Sequence, residues 1–105
     1  MTLTAVEETI KSHPAVMLYF SAPTCNVCHA LKPKLFEAVS QNFDRFEIVS
    51  IDISETPEIA SHYSVFAIPT LIVFLDGREF LRKSRHMSVG EVIGEIRRPY
   101  EIMMG

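Results

Sequence analysis

The sequence predicts an α/β domain: a central mixed four-stranded β-sheet with helices on both faces. Three observations carry that expectation. Ala15-Val16-Met17-Leu18-Tyr19-Phe20 is nearly all apolar, as a strand covered on both sides requires. A helical pattern and then a second strand-like run follow it, so the first two strands are joined by a crossover helix and lie parallel. Further on, two strand-like runs are separated only by Asp76-Gly77, a pair that favours a two-residue hairpin turn and therefore antiparallel pairing. With 105 residues the chain can bury one core but not two, so residues 1–105 are expected to form a single domain.

The elements follow in order. Thr4 with Glu7 has the form of a capping box and predicts a helix running to about Lys11. His13-Pro14 breaks it, and the strand Ala15 to Phe20 comes next. After a short loop, Ser21 to Thr24, a helix is expected from Asn26 to Asn42, with Leu31, Leu35 and Val39 as its buried stripe. Pro33 inside it removes a backbone donor and crowds the carbonyl of His29, which predicts a kink or a break into two shorter helices. Phe46 to Ile53 reads as the second strand. Thr56 is placed to cap a short helix, Pro57 to Tyr63, with Pro57 at its first position. Thr70 to Leu75 and Arg78 to Lys83 form the hairpin. Ser88 with Glu91 predicts the start of a last helix, Val89 to Arg98, which Pro99 should end. The order is α-β-α-β-α-β-β-α.

Composition excludes several classes. Hydrophobic residues make up 48% and charged residues 22%, a globular balance without a disorder signature. The net charge of −3 argues against a nucleic-acid binder, and the clusters Arg82-Lys83-Arg85 and Arg97-Arg98 read as solvated faces. No apolar run approaches the ~20 residues that span a bilayer. Met1 to Glu8 shows none of the basic, apolar or cleavage features of a signal peptide, so no membrane association and a cytoplasmic home are expected.

The chemistry concentrates at Cys25-Asn26-Val27-Cys28, which holds the only two cysteines. They stand where a strand gives way to a helix. Free N–H groups and the positive end of the helix dipole favour a thiolate there. Lowering a thiol pKa from ~8.5 to ~7 raises the thiolate share at neutral pH from a few per cent to about half. In a reducing compartment such a pair points to redox chemistry or metal binding rather than a structural disulfide. Three other readings remain open on these residues. Cys25-x-x-Cys28-His29 fits the c-type haem attachment pattern. The two cysteines with His13, His29, His62 or His86 could contribute to a zinc or iron–sulfur site, although a closed site needs four ligands. The domain could also serve as a binding module dedicated to one partner, with little redox turnover of its own.

With these residues in place, the chain resembles the thioredoxin family over nearly its whole length. The resemblance rests on Cys25-x-x-Cys28 after a buried strand, Pro33 five residues on, Ile68-Pro69-Thr70 before the third strand, and Asp76-Gly77 in the hairpin. It implies the thioredoxin fold and a protein-disulfide reductase in which Cys25 attacks a client disulfide and Cys28 resolves the mixed disulfide. It implies client contacts at Thr24, Asn26, Val27, Ala67, Ile68 and Pro69, with a cis Ile68–Pro69 bond. No metal and no bound cofactor are implied, since the dithiol carries the two electrons. The implied partners are protein disulfide clients and a flavoprotein disulfide reductase as electron donor, acting on a monomer.

The chain departs from the family's usual pattern at several positions. Thr24 stands where a tryptophan is common, and Asn26-Val27 separates the cysteines. Tyr19 aligns with the family's buried acid and Ser50 with its lysine partner; a neutral phenol is a poor base near pH 7. Arg85 aligns with a groove glycine, where its charge would favour acidic clients and a Cys25 thiolate. Tyr19, His29 and Arg85 are therefore the residues expected to tune the dithiol.

Overall fold

A computed structural model describes residues 1–105 and contains eight elements. They are α1 (Leu3–Ser12), β1 (Ala15–Ser21), α2 (Asn26–Asn42), β2 (Phe46–Asp52), α3 (Pro57–His62), β3 (Thr70–Leu75), β4 (Arg78–Ser84) and α4 (Val89–Met104). The sheet order is β2-β1-β3-β4. β1 runs parallel to β2, with Ala15 opposite Phe46 and Ser21 opposite Asp52. It runs antiparallel to β3, with Phe20 opposite Thr70. The β3–β4 hairpin turns at Asp76 and Gly77, whose φ angles of 53° and 78° are those that Asp-Gly adopts most readily.

β1 is the spine, and Ala15 to Phe20 are all buried. Because side chains alternate along a strand, Ala15, Met17 and Tyr19 face one side and Val16, Leu18 and Phe20 the other. The first set packs with Leu35, Val39 and Phe43 and with Val92, Ile93 and Ile96, so α2 and α4 cover that face. The second packs with Val6, Ile10, Ile59 and Ala60 under α1 and α3. Full burial of each large aliphatic side chain contributes about 1.5–3 kcal/mol.

Four local expectations are corrected. Thr2, not Thr4, caps α1: its Oγ1 accepts from the Ala5 N–H at 3.1 Å, which draws Leu3 into the helix and against the core. Thr56 gives α3 no side-chain cap, because its hydroxyl donates back to the Asp52 carbonyl; Pro57 lowers the need by having no N–H to satisfy. α2 runs unbroken across Pro33, so the break into two shorter helices does not occur. α4 does not stop at Pro99 but continues to Met104. An interior proline costs about 3 kcal/mol, and the contacts beyond it offset that cost. Tyr100 is buried against Phe43 and Phe46, with ring centroids at 4.8 and 5.8 Å. Its hydroxyl accepts from the Arg45 N–H at 3.0 Å. Met103 packs on the core, while Ile102 and Met104 stay exposed. Ser88 caps α4 as expected, accepting from the Glu91 N–H at 3.1 Å.

Candidate active site

β1 delivers the chain to the dithiol. After Ser21 the backbone turns through Ala22-Pro23-Thr24, closed by a bond from the Cys25 N–H to the Ala22 carbonyl at 3.0 Å. Cys25 is the N-cap of α2, and its Sγ accepts from the Cys28 N–H at 3.2 Å. Cys28 lies one turn inside, with the two Cα atoms 5.3 Å apart, and the pair is disulfide-bonded. Cys25 is half-exposed, whereas Cys28 is only 1% exposed. An incoming group can therefore reach the first sulfur and not the second. The same N–H and the helix dipole would stabilise a Cys25 thiolate after reduction.

The second wall comes from the approach to β3. Because Phe20 opposes Thr70, Pro69 and the dithiol loop lie at the same end of the sheet. The Ile68–Pro69 peptide is cis and Pro69 is buried. Thr70 anchors the segment by donating to the Ala67 carbonyl at 2.6 Å and sharing a 2.9 Å bond with the Ser84 hydroxyl. The N–H and carbonyl of Ile68 make no hydrogen bond within the chain. Thr24, Asn26 and Val27 are exposed around the cysteines, and Ala67 and Ile68 are half-buried.

The three tuning candidates occupy different positions. Tyr19 lies under the dithiol on β1, fully buried, opposite Ser50 and edge-on to Phe36 at 5.5 Å. Its hydroxyl donates to the Cys28 carbonyl at 2.8 Å, and burial pushes its pKa up to about 12. It holds the second cysteine's backbone and is not a proton acceptor. The His29 ring is tied to the loop before Cys25, its Nε2 donating to the Pro23 carbonyl at 2.9 Å. Arg85 takes a left-handed conformation, φ 61°, and its N–H donates to the Pro69 carbonyl at 2.7 Å. The residue is thus joined to the segment that faces the dithiol.

Phe66 was missed in the sequence. It is 88% exposed immediately before Ala67-Ile68-Pro69. An aromatic between the end of a helix and a turn proline was the available signal. No group of three or more His, Cys, Asp or Glu is gathered where it could hold a metal ion.

Comparison with known proteins decides the family. The sequence model described as Thioredoxin matches residues 1–96. The chain belongs to the thioredoxin family. It is a thiol–disulfide oxidoreductase, and the alternative of a binding module without that chemistry is not favoured. Among related thioredoxin-family proteins, it is 35% identical over 104 residues to "Thioredoxin-like protein YdfQ" of Bacillus subtilis (strain 168), covering 99% of this chain and 92% of that one. It is 41% identical over 66 residues to the thioredoxin of the same organism, covering 63% of this chain and 64% of that one. A solved mutant thioredoxin from Halobacterium salinarum NRC-1 superposes with a TM-score of 0.79 at 25% identity, over 92% of this chain and 83% of that one. No helix is long and apolar enough to cross a membrane.

Proposed function

We propose that the chain reduces protein disulfides with Cys25 as the attacking thiolate and Cys28 as the resolving thiol. The observation that carries this assignment is the asymmetry of the pair: Cys25 is half-exposed at the helix cap, and Cys28 is buried behind it. In the first step Cys25 Sγ attacks one client sulfur. A Cys25–client disulfide forms, and the other client sulfur leaves with the bonding pair and takes a proton from solvent. In the second step Cys28 loses its proton and its thiolate attacks Cys25 Sγ, closing the intramolecular disulfide; the remaining client sulfur leaves with the bonding pair and takes up a proton. Two electrons pass to the client, and the dithiol itself carries them, so no bound cofactor is needed.

The unpaired backbone of Ile68 supports a docking mode in which an extended client strand bonds alongside the cis proline, flanked by Thr24, Asn26, Val27 and Ala67. Regeneration needs an external two-electron donor, which we assign to a flavoprotein disulfide reductase. The domain would act as a monomer in the cytoplasm, in electron transport that maintains cell redox balance, with residues 1–105 as the working unit.

Measuring the equilibrium potential of the Cys25/Cys28 pair, by thiol labelling and mass across a defined redox buffer, tests the direction of flow. A value near about −270 mV is expected for a reductase, and one between about −180 and −120 mV would overturn that direction.

A further inference from the structure

We infer that this site selects client strands bearing acidic side chains beside the reacting cysteine, with Arg85 as the selecting charge and Phe66 as an apolar wall. The inference rests on the exchange chemistry proposed above and adds a substrate class to it. Its first support is the distribution of charge. The chain has 13 acidic residues, yet none lies in the three segments that build the site, residues 13–36, 59–75 and 80–90. The acids at that end of the sheet are Asp52, Glu55 and Glu58, at and just after the end of β2 on the far side of β1 from β3 and β4, and Glu91 and Glu95 early in α4, both of which Lys83 pairs. Asp52 is also engaged, its Oδ1 accepting from the Ser54 N–H and hydroxyl.

The second support is that Arg85 is uncommitted. Its neighbours are taken: Arg82 pairs with Glu79 at 2.9 Å, and Lys83 with Glu91 and Glu95 at 3.1 Å. The Arg85 guanidinium is exposed and makes no hydrogen bond or ion pair, while its backbone is fixed to Pro69. A client strand bonded along Ile68 passes beside this charge. The third support is apolar. Phe66, 88% exposed in the loop that leads to Ile68, and Val27, 61% exposed in the first turn of α2 between the two cysteines, stand on the two segments that carry the site, with nothing packed over them. An apolar client residue next to the acidic one would cover them.

The test uses two disulfide-linked peptides identical except for Glu or Lys flanking the cysteine. Each reduction rate is divided by that of dithiothreitol on the same peptide, which removes the peptide's intrinsic reactivity. The reduced protein is expected to favour the Glu peptide about five- to tenfold at low salt, with the ratio falling toward one as salt screens the charge. Arg85→Asn, which tolerates the left-handed conformation, should bring the ratio near one, and Arg85→Glu should invert it. Phe66→Ser should slow both peptides together. An unchanged ratio in both Arg85 variants, or no preference in the parent protein while both peptides are reduced, overturns the inference and leaves the exchange chemistry standing. Failure of the parent protein to reduce either peptide overturns both.

Discussion

The Tyr19 hydroxyl donates a 2.8 Å hydrogen bond to the carbonyl of Cys28, joining the buried spine of the sheet to the backbone of the second cysteine. Both groups are shut away from water. Tyr19→Phe removes this bond while the carbonyl keeps its place in the helix ladder, and should lower stability by about 0.5–1.5 kcal/mol, read from urea midpoints. No change in midpoint would mean the bond contributes nothing.

The same residue makes a pH prediction. In the unfolded chain Tyr19 ionises near its ordinary value of ~10; in the fold, burial holds it neutral to about 12. The unfolded state therefore releases its proton first, and stability falls as pH rises from about 10 toward 12. In Tyr19→Phe this part of the alkaline loss should disappear, as midpoints measured from pH 8 to 11 would show. Parallel pH curves for the two proteins would contradict it.

Replacing either cysteine separates their roles. Cys28→Ser should accumulate a client mixed disulfide on Cys25, seen as a mass adduct. Cys25→Ser should give no adduct at neutral pH, because Cys28 is 1% exposed. Adducts of equal yield in both variants would reverse the assignment.

Arg82 holds the end of α3. Its Nη1 donates to the carbonyls of Tyr63 and Ser64 at 2.8 and 3.3 Å, while Glu79 engages the other side of the guanidinium. Arg82→Ala should cost about 1 kcal/mol and speed amide exchange in residues 63–69, the approach to Pro69. Unaltered exchange there would show that the segment is held by Thr70 and Ser84 alone.

Pro99 interrupts the hydrogen-bond ladder of α4 without ending the helix. Pro99→Ala restores a backbone donor and removes the ring's crowding, although it loosens the unfolded chain. A net gain of about 1–2 kcal/mol is expected from thermal or urea unfolding. A loss would mean that the ring's own packing is needed.

Much of this arrangement was legible in the residues. The apolar run of β1, the Asp76-Gly77 turn and the helical spacing of Leu35 and Val39 each encode one element locally, and the structure matches them closely. Cys25, Cys28 and Pro69 were marked by spacing and by family resemblance. What was not legible depended on distant partners. Local grammar ended α4 at Pro99, but Tyr100 finds Arg45 and the rings of Phe43 and Phe46 far away in the sequence. Thr56 was read as a cap because its competition for the Asp52 carbonyl is set by the end of β2. His29 follows Cys28 directly, but only the folded loop brings the Pro23 carbonyl to its ring. The exposure of Phe66 likewise follows from how its neighbours fold, since Val65 beside it is buried.

β1 sends alternate side chains into two separate hydrophobic clusters, so one strand is the common wall of both. The clusters therefore cannot melt independently: losing the helices on one face exposes the strand that the other face needs. Unfolding should be a single concerted event, with the slowest-exchanging amides of both halves reporting one shared opening. The dithiol hangs from the end of that wall. Its two sulfurs are then held by the most persistent part of the molecule, and opening and closing of their bond takes place against a scaffold that stays in place while clients come and go.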